Sequence, residues 1–294
     1  MRTLRCEIIS NNILVIAFDG MDKKLIEEFE LENIPQEEFG KIDNQTGMKN
    51  IYTSELFASF ITGKTSQEHG IEGLTTWSNS RGKIVDRLAP KKLVESTKGF
   101  NRVQETLKTL LSTDEVKYSQ EHIKEETLFE KIENSRAMYV PGYNPSLFWQ
   151  LKAETLPLEY GYGSDTAGEF WDTREHEFRK KNLISELEND IVSPRDFLMV
   201  HLHRTDFHQH LYGDPTAVMD KNKLKKLYDE TDKLAGKILE KASGKYDTII
   251  FMSDHGLPAK HGHNENAFYS SNRPLFDGVP KITDFHDKVL ELVE

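Results

Sequence analysis

Three short apolar runs constrain this chain more than any other feature, because each leads into acid and imidazole. Asp19 closes Ile13-Leu14-Val15-Ile16-Ala17-Phe18. Asp206 and His210 follow Phe197-Leu198-Met199-Val200, and Asp254 and His255 come just after Ile249-Ile250-Phe251-Met252. His261 stands six residues beyond His255. An unbroken apolar run of this length reads as a strand buried on both faces, the habit of parallel sheets covered by helices. Three such strands side by side deliver carboxylates and imidazoles to one carboxyl edge, where open α/β sheets bind ligands. Oxygen and imidazole donors suit zinc, and a larger share of carboxylate also suits manganese or magnesium.

The rest of the chain alternates in the same sense. Helical patterns are expected at 23–30, 127–134, 183–190, 222–242 and 285–293, and strands at 13–18, 137–140, 197–202 and 248–252. Thr53-Ser54-Glu55 opens a short helix through Leu56-Phe57 and Phe60-Ile61 that Gly63 ends. This predicts an α/β fold with a mostly parallel central sheet and helices on both faces. At 294 residues the chain is expected to form one catalytic domain, 1–294, with insertions at 78–120 and 147–181. The second insertion is rich in aromatics (Phe148, Trp149, Tyr160, Tyr162, Phe170, Trp171), and long irregular stretches of this kind serve as lids or as surface decoration.

A formal charge of −11 argues against a nucleic-acid duplex as partner, though not against a small phosphorylated substrate beside bound cations. Cys6 is the only cysteine, so neither a disulfide framework nor a cysteine-rich zinc site is available. No apolar stretch nears the roughly 20 residues of a membrane span, and 1–12 lacks a signal-type apolar region. A cytoplasmic protein with no membrane partner is expected.

Between the first and second ligand groups lie Tyr52-Thr53-Ser54-Glu55-Leu56-Phe57-Ala58-Ser59-Phe60-Ile61-Thr62-Gly63 and then His69-Gly70-Ile71. With Asp19-Gly20, Asp206-x-x-x-His210-x-x-Gly213, Ser253-Asp254-His255-Gly256 and His261-Gly262-x-Asn264, the ordered set resembles the alkaline phosphatase superfamily. Within it, the type I phosphodiesterase/nucleotide pyrophosphatase group is the nearest pattern. The resemblance runs from Asp19 to Asn264 and implies an alkaline-phosphatase-like fold. It implies Thr53 as nucleophile and ligand, one ion on Asp19, Asp254 and His255, and a second on Asp206, His210 and His261. Zinc is the first choice and manganese the second. The chemistry accounts for these residue types independently: a cation beside the Thr53 hydroxyl favours its ionised form, and a helix start offers free N–H groups to phosphate oxygens. The implied course is attack by Thr53, a phospho-threonine intermediate, then hydrolysis.

Competing readings narrow the set. Ser54 is a rival nucleophile, but the spacing to Thr62-Gly63 favours Thr53. Asp22 reads as the N-cap of the helix at 23. Thr62-Gly63-Lys64-Thr65 mimics the end of a P-loop, but Ala58 stands where its first glycine is required. His201, His203, His208 and His263 are left unassigned to metal. Related nucleotide pyrophosphatases carry an Asn soon after His-Gly-Ile; here the phosphate contact falls to Thr75, Asn79 or backbone N–H groups. Thr53-Ser54-Glu55-Leu56-Phe57 lacks the x-Pro-x-Arg context of a sulfatase nucleophile, and the chain has no room for the large cap of the related mutases. The expected substrate is a phosphodiester or pyrophosphate of a nucleotide or other small molecule, with Tyr160, Tyr162 and Thr75 as candidate substrate contacts. A phosphomonoesterase with the same core is the alternative, and a non-catalytic metal-dependent binding module or a purely structural α/β protein are the readings from other classes.

Overall fold

The computed structural model describes residues 11–89, 98–146, 165–189, 193–212, 220–259 and 262–294. In chain order the elements are β1 (Ile13–Phe18), α1 (Lys23–Glu28), β2 (Glu38–Lys41), α2 (Thr53–Thr62), α3 (Ser66–His69), β3 (Thr75–Trp77), α4 (Gly82–Leu88), α5 (Lys98–Leu111) and β4 (Glu115–Lys117). They continue with α6 (Leu128–Lys131), β5 (Ser135–Met138), α7 (Asp165–Leu187), β6 (Phe197–Leu202), α8 (Arg204–Tyr212), α9 (Lys221–Ala242), β7 (Thr248–Met252), β8 (Pro258–Ala259), β9 (Gly262–His263), β10 (Phe268–Ser271) and α10 (Asp284–Val293).

The central sheet has the order β2-β10-β7-β1-β6-β5. β7, β1, β6 and β5 run parallel, and β10 and β2 add an antiparallel edge. The apolar runs are unbroken because the strand period sends alternate residues to opposite faces. Leu14, Ile16 and Phe18 join Leu198, Val200 and Phe251 in one core, closed by Ile26 of α1, Leu183 of α7 and Tyr228 and Ile238 of α9. Ile13, Val15 and Ala17 join Met199 and Met252 in the other, closed by Leu56, Phe57 and Phe60 of α2 and Phe285 of α10. The result is an α/β fold with helices on both faces of a mostly parallel sheet, as the alternation predicts.

Several boundaries differ from the sequence expectation. β5 ends at Met138, because Tyr139 takes a positive φ of 64° and leaves the strand. α6 stops at Lys131, where Ile132 turns extended. Residues 165–181, expected to be part of an irregular insertion, are helical and continue into 187 as α7. From 78 to 120 the described residues place α4 and α5 between β3 and β4, which pair antiparallel and form a small sheet of their own. No helix among the described residues is long and apolar enough to cross a membrane.

Candidate active site

The carboxyl ends of β1, β6 and β7 bring the polar groups together. Asp19 N–H donates to Leu202 O and Asp206 N–H donates to Asp19 O, each at 3.0 Å, so backbone alone ties the first acidic group to the second. Gly20 sits between them at φ 69°, and a Cβ there would stand 2.8 Å from Asp206 Cβ. Glycine is required at that point by both the backbone and the close approach. Asp206 and His210 lie four residues apart on α8 and therefore share a face, with His210 Nε2 3.4 Å from Asp206 Oδ1. Asp254 and His255 follow β7, and Asn44 Nδ2 donates to Asp254 O at 2.8 Å.

The β8–β9 hairpin supplies His263. Its Nε2 is 3.4 Å from Asp206 Oδ1 and 3.0 Å from His210 Nε2, and its ring stacks on His255 at 3.7 Å between centroids. Asp22 anchors this hairpin. Its Oδ2 accepts from Asn264 Nδ2 (2.8 Å) and Asn266 Nδ2 (3.0 Å), while Oδ1 caps α1 by accepting from Lys24 N–H (2.9 Å), as expected of an N-cap. A Cβ on Gly256 would meet Asn264 Oδ1 at 2.2 Å and Asp22 Oδ2 at 2.5 Å, so the glycine after His255 makes room for this knot. Thr53, the first residue of α2, places Oγ1 3.1 Å from His255 Nε2. Ser54 beside it is buried, whereas Thr53 is half-buried and faces the cluster through this contact.

The hydrogen bonds sort the imidazoles into two kinds. His255 Nδ1 lies 2.9 Å from Gly256 O and His263 Nδ1 lies 3.3 Å from Ile51 O. A carbonyl only accepts, so Nδ1 carries the proton in each and Nε2 presents a lone pair to the carboxylates when the ring is neutral. That is how metal-bound histidines are held. His203 Nδ1 is 2.7 Å from Asp19 Oδ2 and His201 Nε2 is 3.1 Å from the same oxygen. His203 hydrogen-bonds that carboxylate oxygen, and His201 Nε2 stands beside it without a directed hydrogen bond.

The electrostatics of the site call for positive charge. Asp19, Asp206 and Asp254 are 1%, 6% and 0% exposed. Asp19 Oδ1, Asp206 Oδ1 and both oxygens of Asp254 are buried and accept no hydrogen bond from the described residues. Burial, reinforced by Asp19 and Asp206, pushes the Asp254 carboxyl up to about 7. Burial also opposes charge on His255, yet Asp254 with Asp19 and Asp206 drives that imidazole up to about 10. Burial would raise Asp19 too, but His201, His203 and His255 hold it well below the usual carboxylate range. Unpartnered buried carboxylate oxygens facing imidazole lone pairs are the donor set of a divalent cation. Among the described residues the donor atoms of Asp19, Asp206 and His255 lie within 4.8 Å of one another, as do those of Asp206, His210 and His263.

Comparison with known proteins identifies the family. The sequence model of the type I phosphodiesterase/nucleotide pyrophosphatase family matches residues 13–271. The chain belongs to that family. No curated protein sequence matches it. Similar solved structures include murine ectonucleotide pyrophosphatase/phosphodiesterase 5, at 12% identity and a TM-score of 0.44 over 83% of this chain. An inactive form of that protein in complex with AMP has 12% identity and a TM-score of 0.43 over 84% of this chain. The present chain spans 57% of the length of each of those two. The PH0037 protein from Pyrococcus horikoshii has 12% identity and a TM-score of 0.47, with 97% of each chain covered.

The phosphodiesterase-family motifs take distinct places in the structure. Asp19, Thr53, Asp206, His210, Asp254 and His255 come together at one edge. His261, Tyr160 and Tyr162 lie outside the described residues, as do Phe148 and Trp149. Thr75 sits in β3 with its hydroxyl donating to Glu115 Oε2 at 3.2 Å, and Asn79 donates to Ser112 O and accepts from Arg81 N–H. Both are engaged in building the β3–β4 insertion. His69 of the His-Gly-Ile motif is remote from the cluster's contacts and pairs with Ser59 (2.8 Å) inside the fold. His208 is buried in α8, edge-on to Phe207. The sequence left His263, His201 and His203 unassigned and passed over Asn44 and Arg179. The period-two spacing of His201 on β6 and His203 just past its end was the one signal that placed two of them on a common face.

Proposed function

We propose that this chain is a cation-dependent hydrolase of phosphodiester or pyrophosphate bonds in a nucleotide-like or other small substrate, with Thr53 as its nucleophile. The observation that carries the proposal is the Thr53 hydroxyl 3.1 Å from His255 Nε2, beside buried carboxylate oxygens that no hydrogen bond satisfies. Asp19, Asp254 and His255 would hold one ion next to Thr53. Asp206 and His210 would hold the second with His261, the histidine implied by the family pattern; His263 is its described neighbour and the competing ligand. Zinc fits these donors best, and manganese fits them too. When bound, the cations neutralise phosphoryl oxygens and lower the pKa of the Thr53 hydroxyl.

The chain's own groups do the rest. The first N–H groups of α2 have no partner within the helix and are donors that phosphate oxygens can use. The same helix start holds Thr53 Oγ1 3.1 Å from His255 Nε2. Thr53 Oγ1 forms a bond to phosphorus as the bond to the leaving oxygen breaks, and water then cleaves the phospho-threonine. One catalytic domain suffices for this, since the described groups, Asp19, Thr53, Asp206, His210, Asp254 and His255, stand at one sheet edge. A cytoplasmic, reducing setting agrees with a chain whose sole cysteine is Cys6.

The test is relative turnover of bis-p-nitrophenyl phosphate and p-nitrophenyl phosphate by protein stripped of metal and reloaded with zinc or manganese. The proposal expects faster diester cleavage that vanishes on chelation. Faster monoester cleavage would make the protein a phosphomonoesterase on the same core, and no cleavage of either by ion-loaded protein would favour a binding module.

A further inference from the structure

α7 carries a buried ion pair that the chemistry above does not use. Glu175 and Arg179 are 4% and 3% exposed, four residues apart on one helix face. Arg179 Nε donates to Glu175 Oε1 at 3.1 Å, Nη2 donates to the same oxygen and to Ser146 Oγ at 3.1 Å, and Ser146 in turn donates to Glu175. The remaining arm of the guanidinium reaches the site: Nη1 donates to His201 Nδ1 and to His201 O, both at 3.1 Å. A buried ion pair is a poor source of stability, because desolvation offsets its attraction. What it does well is fix orientation.

We infer that the Glu175–Arg179 pair is a positioning device that sets the proton on His201 and, through it, aims Asp19 at the cation. A guanidinium has only donors and keeps its proton, so His201 Nδ1 must accept. The single proton of neutral His201 then sits on Nε2, 3.1 Å from Asp19 Oδ2. His203 Nδ1 holds the same oxygen at 2.7 Å. With Oδ2 bonded to His203 and His201 Nε2 close beside it without a directed hydrogen bond, Asp19 turns Oδ1 toward His255 Nε2, 3.3 Å away, and that oxygen is left for the ion. Phe57 packs edge-on against the His201 ring and Tyr139 lies under the guanidinium, so neither group swings freely. A lysine at 179 would be a point charge without the fork, unable to hold Glu175 and both His201 acceptors together.

The inference rests on the proposed cation site, and its test reads metal affinity rather than turnover. Apo wild type, Arg179→Met, Arg179→Lys, His201→Gln and the double variant Arg179→Met/His201→Gln are titrated with zinc against a chromogenic chelator at one pH. Arg179→Met should bind one of the two ions about ten- to a hundredfold more weakly, the usual cost of losing a partner behind a metal ligand. Arg179→Lys should fall between it and wild type, and keeps the test alive if the methionine variant folds poorly. Glutamine offers its amide N–H where His201 Nε2–H stands and needs no arginine to keep it there. In the His201→Gln background, Arg179→Met should therefore cost less than about threefold. Equal losses in both backgrounds, or a lowered melting temperature with unchanged zinc affinity, would mean the pair serves folding alone. Wild type that binds no zinc would overturn the cation site itself together with this relay.

Discussion

Helix α2 carries two hydroxyl–histidine pairs, and they have opposite characters. At its start Thr53 meets His255 at 3.1 Å; two turns on, Ser59 meets His69 at 2.8 Å. In the second pair Ile71 N–H donates to His69 Nδ1, so Nε2 holds the proton and donates to Ser59. The Ser59 hydroxyl passes its own proton toward Met48 Sδ. That serine accepts from its histidine and is not activated by it. Around His255 stand three buried carboxylates that drive its affinity for protons up to about 10, whereas burial drives His69 down to about 4. The same nitrogen, Nε2, faces the hydroxyl in both pairs; the pairs differ in which ring nitrogen carries the proton, Nδ1 in neutral His255 and Nε2 in His69, and in the charge around the ring.

The largest effect that would break this contrast is catalytic. Thr53→Ala should lower kcat/KM on bis-p-nitrophenyl phosphate by at least about a thousandfold, while Ser59→Ala should stay within about threefold. Comparable losses from both substitutions, at unchanged metal content, would remove the distinction.

The next effect is on stability against pH. His69 has a folded pKa of about 4 against an ordinary value of 6.5. The unfolded chain therefore binds the extra proton between those values. Stability is complete above about pH 6.5, falls as pH drops toward 4, and the loss amounts to about 3 kcal/mol. Urea unfolding of wild type and His69→Gln at pH 7.5 and 4.5 should show wild type losing more by about that amount. Parallel losses would mean His69 titrates normally in the fold.

A smaller effect sharpens the comparison on the His255 side. Gly256→Ala forces a Cβ into Asn264 and Asp22, and should cost about 1–3 kcal/mol of stability as well as weakening zinc binding by displacing the β8–β9 hairpin. Ala at Gly73, where nothing lies within 4 Å of the added carbon and the backbone, as at Gly256, is not left-handed, is the control for adding a Cβ without a clash. An unchanged zinc affinity for Gly256→Ala would detach the hairpin from the site.

The central strands and the acids and imidazoles gathered at their ends were legible because an unbroken apolar run followed by Asp or His has few other readings. The antiparallel edge was not. Glu38-Phe39-Gly40-Lys41 has no apolar run, and Ser270 and Ser271 end β10 in polar residues that tertiary pairing alone makes a strand. α8 was missed for a related reason: Arg204 to Tyr212 shows little periodic apolarity, so the i, i+4 relation of Asp206 and His210 came from spacing without a helix to explain it. Glu175 and Arg179 fall in the 147–181 stretch expected to be an irregular insertion, and only the helix α7 and their burial beside Ser146 and His201 join them to the site. The sequence pattern points to His261, which lies outside the described residues, and the described geometry to His263.

The central claim is that the buried carboxylates and imidazoles at the carboxyl edge of β1, β6 and β7 hold two cations beside Thr53. The most direct measurement is an anomalous-scattering map from crystals grown with zinc and collected at its absorption edge. The expected result is two peaks per chain, one touching Asp19, Asp254 and His255 within bonding distance of Thr53 Oγ1, the other touching Asp206, His210 and either His261 or His263. A map with no peak at this edge, in protein that still cleaves phosphodiesters, would contradict it.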